Sequence, residues 1–396
     1  MDTRRMNRYT LIAVAGLLLG GCGGSGQFET TAVAFCGQDA MSGMTIGDFN
    51  GDGADDAAVG CRTRHDPLEG RAEIWLANES GGMTRVQSLP LGSFKTGGEG
   101  AGPITAADFN EDGHLDLVVT DTAGTTHGFS TLYGKGDGTF SQPTYFKQSE
   151  IKSVVSTDVN RDGHQDLLLL VNSFGSDATH YIPGNGGSIN GEGPVRLVAR
   201  DTRGYRNASG GDFNGDHRRD AVVPEPRHGR LHLFPSGGKA HDIVLGKAVR
   251  AIRRAMSGTD VDGDGAADLL VATSGSGDGH ATRWVLTKGG PHLSDPVAAV
   301  PADAAGVDVA DFNGDGVADL LVHQGYKPRL KYHGGAHPLI LIGKAAGGYR
   351  KPVTLDLPGS PAREMPGDFN GDGRTDLLYK RLDRRQPQGM VYLSRW

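Results

Sequence analysis

Seven copies of one nine-residue acidic motif, each set among short apolar stretches, predict an all-β chain. The predicted form is a seven-bladed β-propeller with four-stranded blades, closed by an N-terminal strand that completes the last blade. The motif reads Asp-x-Asn/Asp-x-Asp-Gly-x-x-Asp and opens at Asp48, Asp108, Asp158, Asp212, Asp260, Asp311 and Asp368. Successive copies lie 60, 50, 54, 48, 51 and 57 residues apart. Self-similarity at a period of about 50 residues marks a repeat architecture. The second observation is the content of each repeat: a strand, the acidic loop, an apolar strand, a third strand, a glycine turn and a fourth strand. Four strands per repeat, seven times over, describe a propeller.

Taken in order, residues 1–21 read as a lipoprotein signal peptide. Arg4, Arg5 and Arg8 give a basic start, and Leu11 to Leu19 form an apolar run too short to span a bilayer. The run ends Leu19-Gly20-Gly21-Cys22, which looks like a bacterial lipobox with Cys22 as the lipidated first residue. An ordinary secretory signal with a stray cysteine is the alternative. Lipidation would tether the chain to the outer face of a bacterial cell membrane without a transmembrane helix. Residues 22–27 are a flexible linker, and 28–396 are the propeller.

Cys36 and Cys61 lie 25 residues apart, a candidate disulfide in an oxidising compartment and worth about 3 kcal/mol by chain entropy. Two buried thiols are the alternative.

Each repeat supplies its strands by pattern. Met44-Thr45-Ile46-Gly47 leads into the first loop. Unbroken apolar runs leave the loops, as in Leu117-Val118-Val119, Leu167 to Val171 and Leu320-Leu321-Val322, and suit strands buried on both faces. Third strands follow at Glu73 to Leu76, Ser130 to Tyr133, Arg230 to Phe234, Arg283 to Leu286 and Met390 to Leu393. Only 20 residues follow Asp376, enough for two more strands. A spare strand near Phe28 to Phe35 is therefore expected to close the ring.

The loops read as cation sites. Oxygen side chains at positions 1, 3, 5 and 9, with the carbonyl of position 7, can wrap a hard cation that takes six to eight oxygens. The first set is Asp48, Asn50, Asp52, Ala54 and Asp56; the second is Asp108, Asn110, Asp112, His114 and Asp116. The third is Asp158, Asn160, Asp162, His164 and Asp166; the fourth is Asp212, Asn214, Asp216, Arg218 and Asp220. The fifth is Asp260, Asp262, Asp264, Ala266 and Asp268; the sixth is Asp311, Asn313, Asp315, Val317 and Asp319. The seventh is Asp368, Asn370, Asp372, Arg374 and Asp376. At position 7 only the carbonyl counts, whatever the side chain. No loop offers sulfur, and no histidine takes a side-chain ligand position, so zinc and copper fit poorly. Calcium is expected, up to seven ions. The fourth site is expected to be weakest, because His217 stands where the turn needs positive φ. The competing reading is a plain Asp/Asn/Gly turn, which seven copies with Asp always at position 9 argue against.

The net charge of −7 is mostly loop acidity. Without residues 1–21, which carry Asp2 against three arginines, it becomes about −9, and seven divalent ions would bring it to about +5. No basic stripe suggests nucleic acid. Glycine and proline together make about a fifth of the chain, below the level of a disordered composition.

These residues resemble FG-GAP, or VCBS-type, repeats, the units of the integrin α-subunit propeller and of many secreted bacterial proteins. The likeness rests on Asp-Phe-Asn-Gly-Asp-Gly-x-x-Asp at Asp48, Asp311 and Asp368, and on Gly134 to Phe140, Gly-Lys-Gly-Asp-Gly-Thr-Phe. The resemblance implies calcium loops between first and second strands, on the face away from the ligand. The Phe-Gly and Gly-Ala-Pro segments that name the repeat are poorly kept.

Function is expected in the opposite loops, which carry Arg62, Arg64 and His65; His127; Asp177 and His180; Arg227 and His228; His280; and Tyr326, Lys327 and Arg329. A surface-tethered monomeric module binding a glycan or a protein is the first expectation. No His-Glu-x-x-His and no Gly-x-Ser-x-Gly is present, and no free carboxylate pair at catalytic spacing can be nominated, so no enzyme is expected. A polysaccharide lyase or hydrolase, or a structural scaffold of the envelope, are the alternatives.

Overall fold

A computed structural model describes residues 28–396 apart from 38, 64–67, 95–100, 122–126, 149, 161, 174–175, 190–195, 201–208, 226–229, 237–240, 245–248, 258–266, 268, 276–279, 287–291, 297–303, 325–336, 346–347, 356, 358–360 and 382–388. The signal segment, Cys22 and the linker lie outside the described residues, and so does nearly all of the fifth acidic loop. Among the described residues no helix is long and apolar enough to cross a membrane.

The strands assemble into four-stranded antiparallel sheets in sequence order. After β1 (Phe28–Val33), the first sheet holds β2 (Ala40–Gly47), β3 (Asp56–Arg62), β4 (Leu68–Ala77) and β5 (Met83–Phe94). The second holds β6 (Ala101–Ala107), β7 (Asp116–Asp121), β8 (Gly128–Leu132) and β9 (Thr144–Lys147). The third holds β10 (Glu150–Thr157), β11 (Asp166–Ser173), β12 (Ser176–Ile182) and β13 (Arg196–Arg200). The fourth holds β14 (Ser209–Gly211), β15 (Asp220–Glu225), β16 (Arg230–Phe234) and β17 (His241–Val244). The fifth holds β18 (Val249–Ser257), β19 (Leu269–Gly275), β20 (His280–Leu286) and β21 (His292–Pro296). The sixth holds β22 (Ala304–Ala310), β23 (Asp319–Gln324), β24 (Leu339–Leu341) and β25 (Val353–Thr354). The last runs β26 (Pro361–Gly367), β27 (Asp376–Arg381), β28 (Gly389–Ser394), with β1 as its fourth strand.

First strands of successive sheets lie side by side, from β2 and β6 round to β22 and β26, and β26 returns to β2. The all-β propeller with four-stranded blades is the observed architecture. The core lies in the seams between sheets, because the strands whose side chains are described bury apolar groups on both faces. Between the first and second sheets, Ile74 and Leu89 meet Leu117, Leu132 and Phe140. Between the third and fourth, Leu168, Leu170 and Tyr181 meet Val223 and Phe234.

Position 2 of the acidic loops feeds these seams. Phe49, Phe109, Phe213, Phe312 and Phe369 are all buried. Phe49 meets Phe140 of the next sheet edge to face, ring centres 5.4 Å apart. Truncating such a ring to alanine costs about 3–5 kcal/mol.

The expected closing strand is present, though it ends at Val33 short of Phe35. Its register runs from Phe28 opposite Ser394 to Val33 opposite Gly389. The Phe28 ring stands edge-on to Phe312, Tyr392 and Trp396 at 6.3–6.4 Å. Phe35 lies over Gly389, where an added Cβ would sit 2.3 Å from the ring. Cys36 turns the chain with φ of 57° and is bonded to Cys61, Cα atoms 5.4 Å apart.

Deleting residues 27–36 removes β1, two seam aromatics and the disulfide together. The truncated protein is expected to melt several degrees below the full chain by circular dichroism. Equal melting would show that the ring does not depend on this strand.

Candidate metal loops and the opposite loop face

Every described acidic loop joins the first and second strands of its sheet, and all share the bonds from the N–H groups of positions 5, 6 and 7 and from the position-3 amide. In the first loop Asp48 Oδ1 accepts the Gly51 and Asp52 N–H groups, and Oδ2 accepts that of Gly53. Asn50 Oδ1 accepts from Asp52 N, and Asp52 Oδ1 accepts from Ala54 N. The Asn50 amide donates to Asp52 Oδ2 at 2.8 Å. The sixth loop repeats this with Asp311, Asn313 and Asp315, and the seventh with Asp368, Asn370 and Asp372.

The turn needs left-handed backbone twice, at positions 4 and 6. Gly51 and Gly53 have φ of 75° and 88°. The sequence reading assigned this need to position 6 alone. Glu111 at position 4 of the second loop takes φ of 60° without being glycine. His217 at position 6 of the fourth loop takes φ of 63°, and its N–H still reaches Asp212 Oδ2 at 2.7 Å. The substitution strains the loop without changing its shape.

Position 9 does more than offer a ligand oxygen. Asp56 is fully buried; its Oδ2 accepts the Phe49 N–H at 3.0 Å and its Oδ1 the Ala77 N–H at 2.8 Å. The aspartate thus ties its own loop to the end of the third strand. Asp116 ties Phe109 to Gly134, Asp166 ties Val159 to Gly184, and Asp220 ties Phe213 to Ser236. Asp319 ties Phe312 to Gly343, and Asp376 ties Phe369 to Ser394.

The donor set fits a hard cation. Its side chains offer carboxylate and amide oxygens, and the described position-9 oxygens keep a lone pair beyond their N–H bond, apart from Asp116 Oδ2, which accepts from both Phe109 and Asn110. In the third loop, Asp158 Oδ1 is buried with no hydrogen-bond donor. That orphaned carboxylate oxygen is what a bound cation would satisfy.

Burial raises the position-9 carboxyls. Asp56, Asp116, Asp166, Asp220 and Asp319 are pushed up to about 6 and Asp376 to about 7, against the pull of their backbone N–H bonds.

The fifth set, Asp260, Asp262, Asp264, Ala266 and Asp268, lies outside the described residues. On the opposite face so do Arg64, His65, Arg227, His228, Tyr326, Lys327 and Arg329, and the side chains of Asp177 and His280. The structure places Arg62, His127 and His180 on three successive sheets, half-buried. His127 Nδ1 is buried without a partner, and burial pulls the His180 imidazole down.

Sequence reasoning missed Glu73, buried in the seam between the last and first sheets. It accepts from Arg71 Nε, Arg85 and Cys36 N at 3.0 Å each, and from Trp75 Nε1 at 3.1 Å. Its signal was an acid inside the otherwise apolar stretch Ala72 to Leu76. His323 and Asp308, hydrogen-bonded at 2.6 Å on the sixth sheet, were also missed.

Residues 260–322 match the family model described as FG-GAP-like repeat. No curated protein matches the chain. Among solved structures, an Agrocybe aegerita lectin that recognises non-reducing terminal N-acetylglucosamine aligns at TM-score 0.54 and 17% identity, over 82% of this chain and 88% of that one. Virginiamycin B lyase from Staphylococcus aureus, with quinupristin, aligns at 0.53 and 12%, over 93% and 99%. BBS1N in complex with ARL6DN aligns at 0.53 and 12%, over 93% and 96%. At these identities the likeness is one of fold.

Without cations, the raised position-9 carboxyls hold protons to higher pH than in the unfolded chain, where they titrate near 3.8. Their contribution to the stability of chelator-stripped protein is expected to fall as pH rises from about 4 to about 7. Urea midpoints across that range measure it, and a midpoint climbing steadily with pH would contradict it.

Proposed function

We propose that this chain, an FG-GAP-repeat β-propeller, is a surface-tethered, calcium-stabilised module that binds a glycan or a protein through the loops opposite its acidic loops. In this reading the seven sheets are the blades of one closed ring. The observation that carries it is the contrast between the two ends. At one end every described loop shares the bonds from the N–H groups of positions 5, 6 and 7. At the other, the connections differ in length and chemistry from sheet to sheet. Variable loops on a rigid repeated scaffold are where recognition sits.

Calcium at the acidic loops is part of this reading. The ligands are the side-chain oxygens of positions 1, 3, 5 and 9 and the carbonyl of position 7, with the strained fourth loop weakest. The cation would supply charge compensation for the crowded carboxylates, and the loops' own hydrogen bonds hold those oxygens in place. Carbohydrate as ligand draws support from the lectin neighbour, and a protein ligand from the ARL6DN complex. His127, with its partnerless Nδ1, is the described side chain best suited to a ligand contact. One observation favours an enzyme instead: His323 and Asp308 form an imidazole–carboxylate pair, and two lyases share the fold.

A polysaccharide and glycan binding screen tests the reading, with calcium and with chelator. Calcium-dependent retention of one glycan class is the expected result. Release of unsaturated or shortened products would move the reading to the enzyme. A folded, calcium-loaded protein that binds no glycan would point to a protein ligand.

At about 1 mM calcium and a site constant near 0.1 mM, each occupied loop adds about 1.4 kcal/mol. Chelation is therefore expected to lower the melting temperature sharply. An unchanged melt would remove calcium from the proposal.

The proposed tether is Cys22. Changing Cys22→Ser is expected to move the protein from the membrane fraction to the soluble one. Continued membrane association of the variant would count against lipidation.

A further inference from the structure

At three seams an acidic loop is bonded to the loop of the preceding sheet. Positions 7 and 8 share a peptide unit, and the position-8 N–H leaves its own loop. Asp55 N donates to the Asp368 carbonyl of the preceding sheet at 2.6 Å. Ala267 N donates to Asp212 O, and Thr375 N to Asp311 O, both at 2.7 Å. The acceptor in each case is the backbone of position 1, whose carboxylate is the first oxygen ligand of the neighbouring loop.

Two of these seams carry a return bond. Asp368 N donates to Asp55 Oδ2 at 2.9 Å, and Asp311 N to Thr375 Oγ1 at 3.0 Å. The position-8 residue therefore grips both backbone polar groups of its neighbour's first ligand residue. The Asp55 grip crosses the seam that closes the ring. Other contacts run the same way: His164 at position 7 pairs with Glu111 of the preceding loop, and Arg374 lies against Gly314.

We infer that Asp55 and Thr375 are positioning residues for the cation site of the preceding sheet, so that neighbouring loops load cooperatively. The inference rests on the calcium reading above. Its physical basis is the shared peptide. A cation drawn to the position-7 carbonyl polarises that peptide and strengthens its N–H as a donor, because linked hydrogen bonds reinforce one another. The strengthened bond holds the neighbour's position 1 in place before its own cation arrives. The coupling is reciprocal, since each loop orders the other.

The test is a calcium titration of the chelator-stripped full chain in detergent, read by calorimetry. The wild type is expected to show a Hill coefficient above 1. Asp55→Ala removes the return bond and keeps the Asp55 N–H bond, so it should bring the coefficient part of the way toward 1 and weaken affinity at the coupled seventh loop about fivefold. Asp55→Thr should restore cooperativity, because Thr375 makes the same return bond. Gln87→Ala is the control: both side-chain bonds of Gln87 go to the Phe140 backbone across the first two sheets, and neither involves a position-1 or position-8 residue. It should lower the melting temperature and leave the Hill coefficient unchanged.

A wild-type Hill coefficient of 1 with ions bound would overturn the coupling and leave the calcium reading standing. So would an Asp55→Ala isotherm matching that of Gln87→Ala. A chain that takes up no ions would sink both.

Discussion

The fold depends on a carboxylate that water does not reach. At every described copy the aspartate at position 9 opens the second strand of its sheet and is buried. A bare carboxylate there would carry a large desolvation penalty. It is tolerated because one oxygen takes the N–H of position 2 and the other takes an N–H at or just past the end of the third strand. In one residue the loop, the second strand and the third strand are fixed to each other. Fixing position 2 also sets the direction of its aromatic ring, which is why the same loop that gathers acids also fills the next seam. Phe49 is the clearest case: its N–H is held by Asp56, its ring meets Phe140, and its carbonyl accepts from Gly138 of the next sheet.

Closing a ring of sheets needs a seam as strong as the repeated ones, and here it is reinforced by different means at different heights. At the acidic end Asp55 and Asp368 exchange backbone and side-chain bonds. In the middle, Met44, Val59 and Trp75 pack on Leu378 and Val391. At the far end the disulfide and Glu73 hold the segment that follows β1. The buried Glu73 is costly unless paired. Its two arginines, the Trp75 N–H and the Cys36 N–H supply that pairing, so removing any one partner leaves the others holding an under-satisfied charge.

The repeat period, the strand order and the closing strand were legible in the sequence because they follow from spacing. The cysteine pair was legible as a candidate because the separation allows it. Position 4 was not legible as a left-handed site, since Glu111 stands there in the second copy and hides the need for positive φ. The grip of position 8 was not legible either. Asp55 and Thr375 look unrelated until the turn places both beside the neighbouring position 1, and Ala267 makes the backbone half of the bond with no polar side chain. Position 9 was legible as an invariant acid, but its second role was not, because its partner N–H groups lie 16 to 24 residues downstream at the end of the third strand.

The two ends of the ring are free to differ because the bonds that recur from sheet to sheet are confined to one of them. Position 9, the position-2 ring and the position-8 grip all lie at or near the acidic loops, and none calls on a residue of the opposite connections. His217 shows how firmly that end is determined. It takes a left-handed conformation that costs a non-glycine residue about 1 kcal/mol or more, and the surrounding bonds still hold at ordinary distances. A scaffold that absorbs such a strain without moving can carry loops of unrelated length on its other end. The same confinement explains why spacing reveals the fold of this chain and leaves its ligand to chemistry that obeys no repeat.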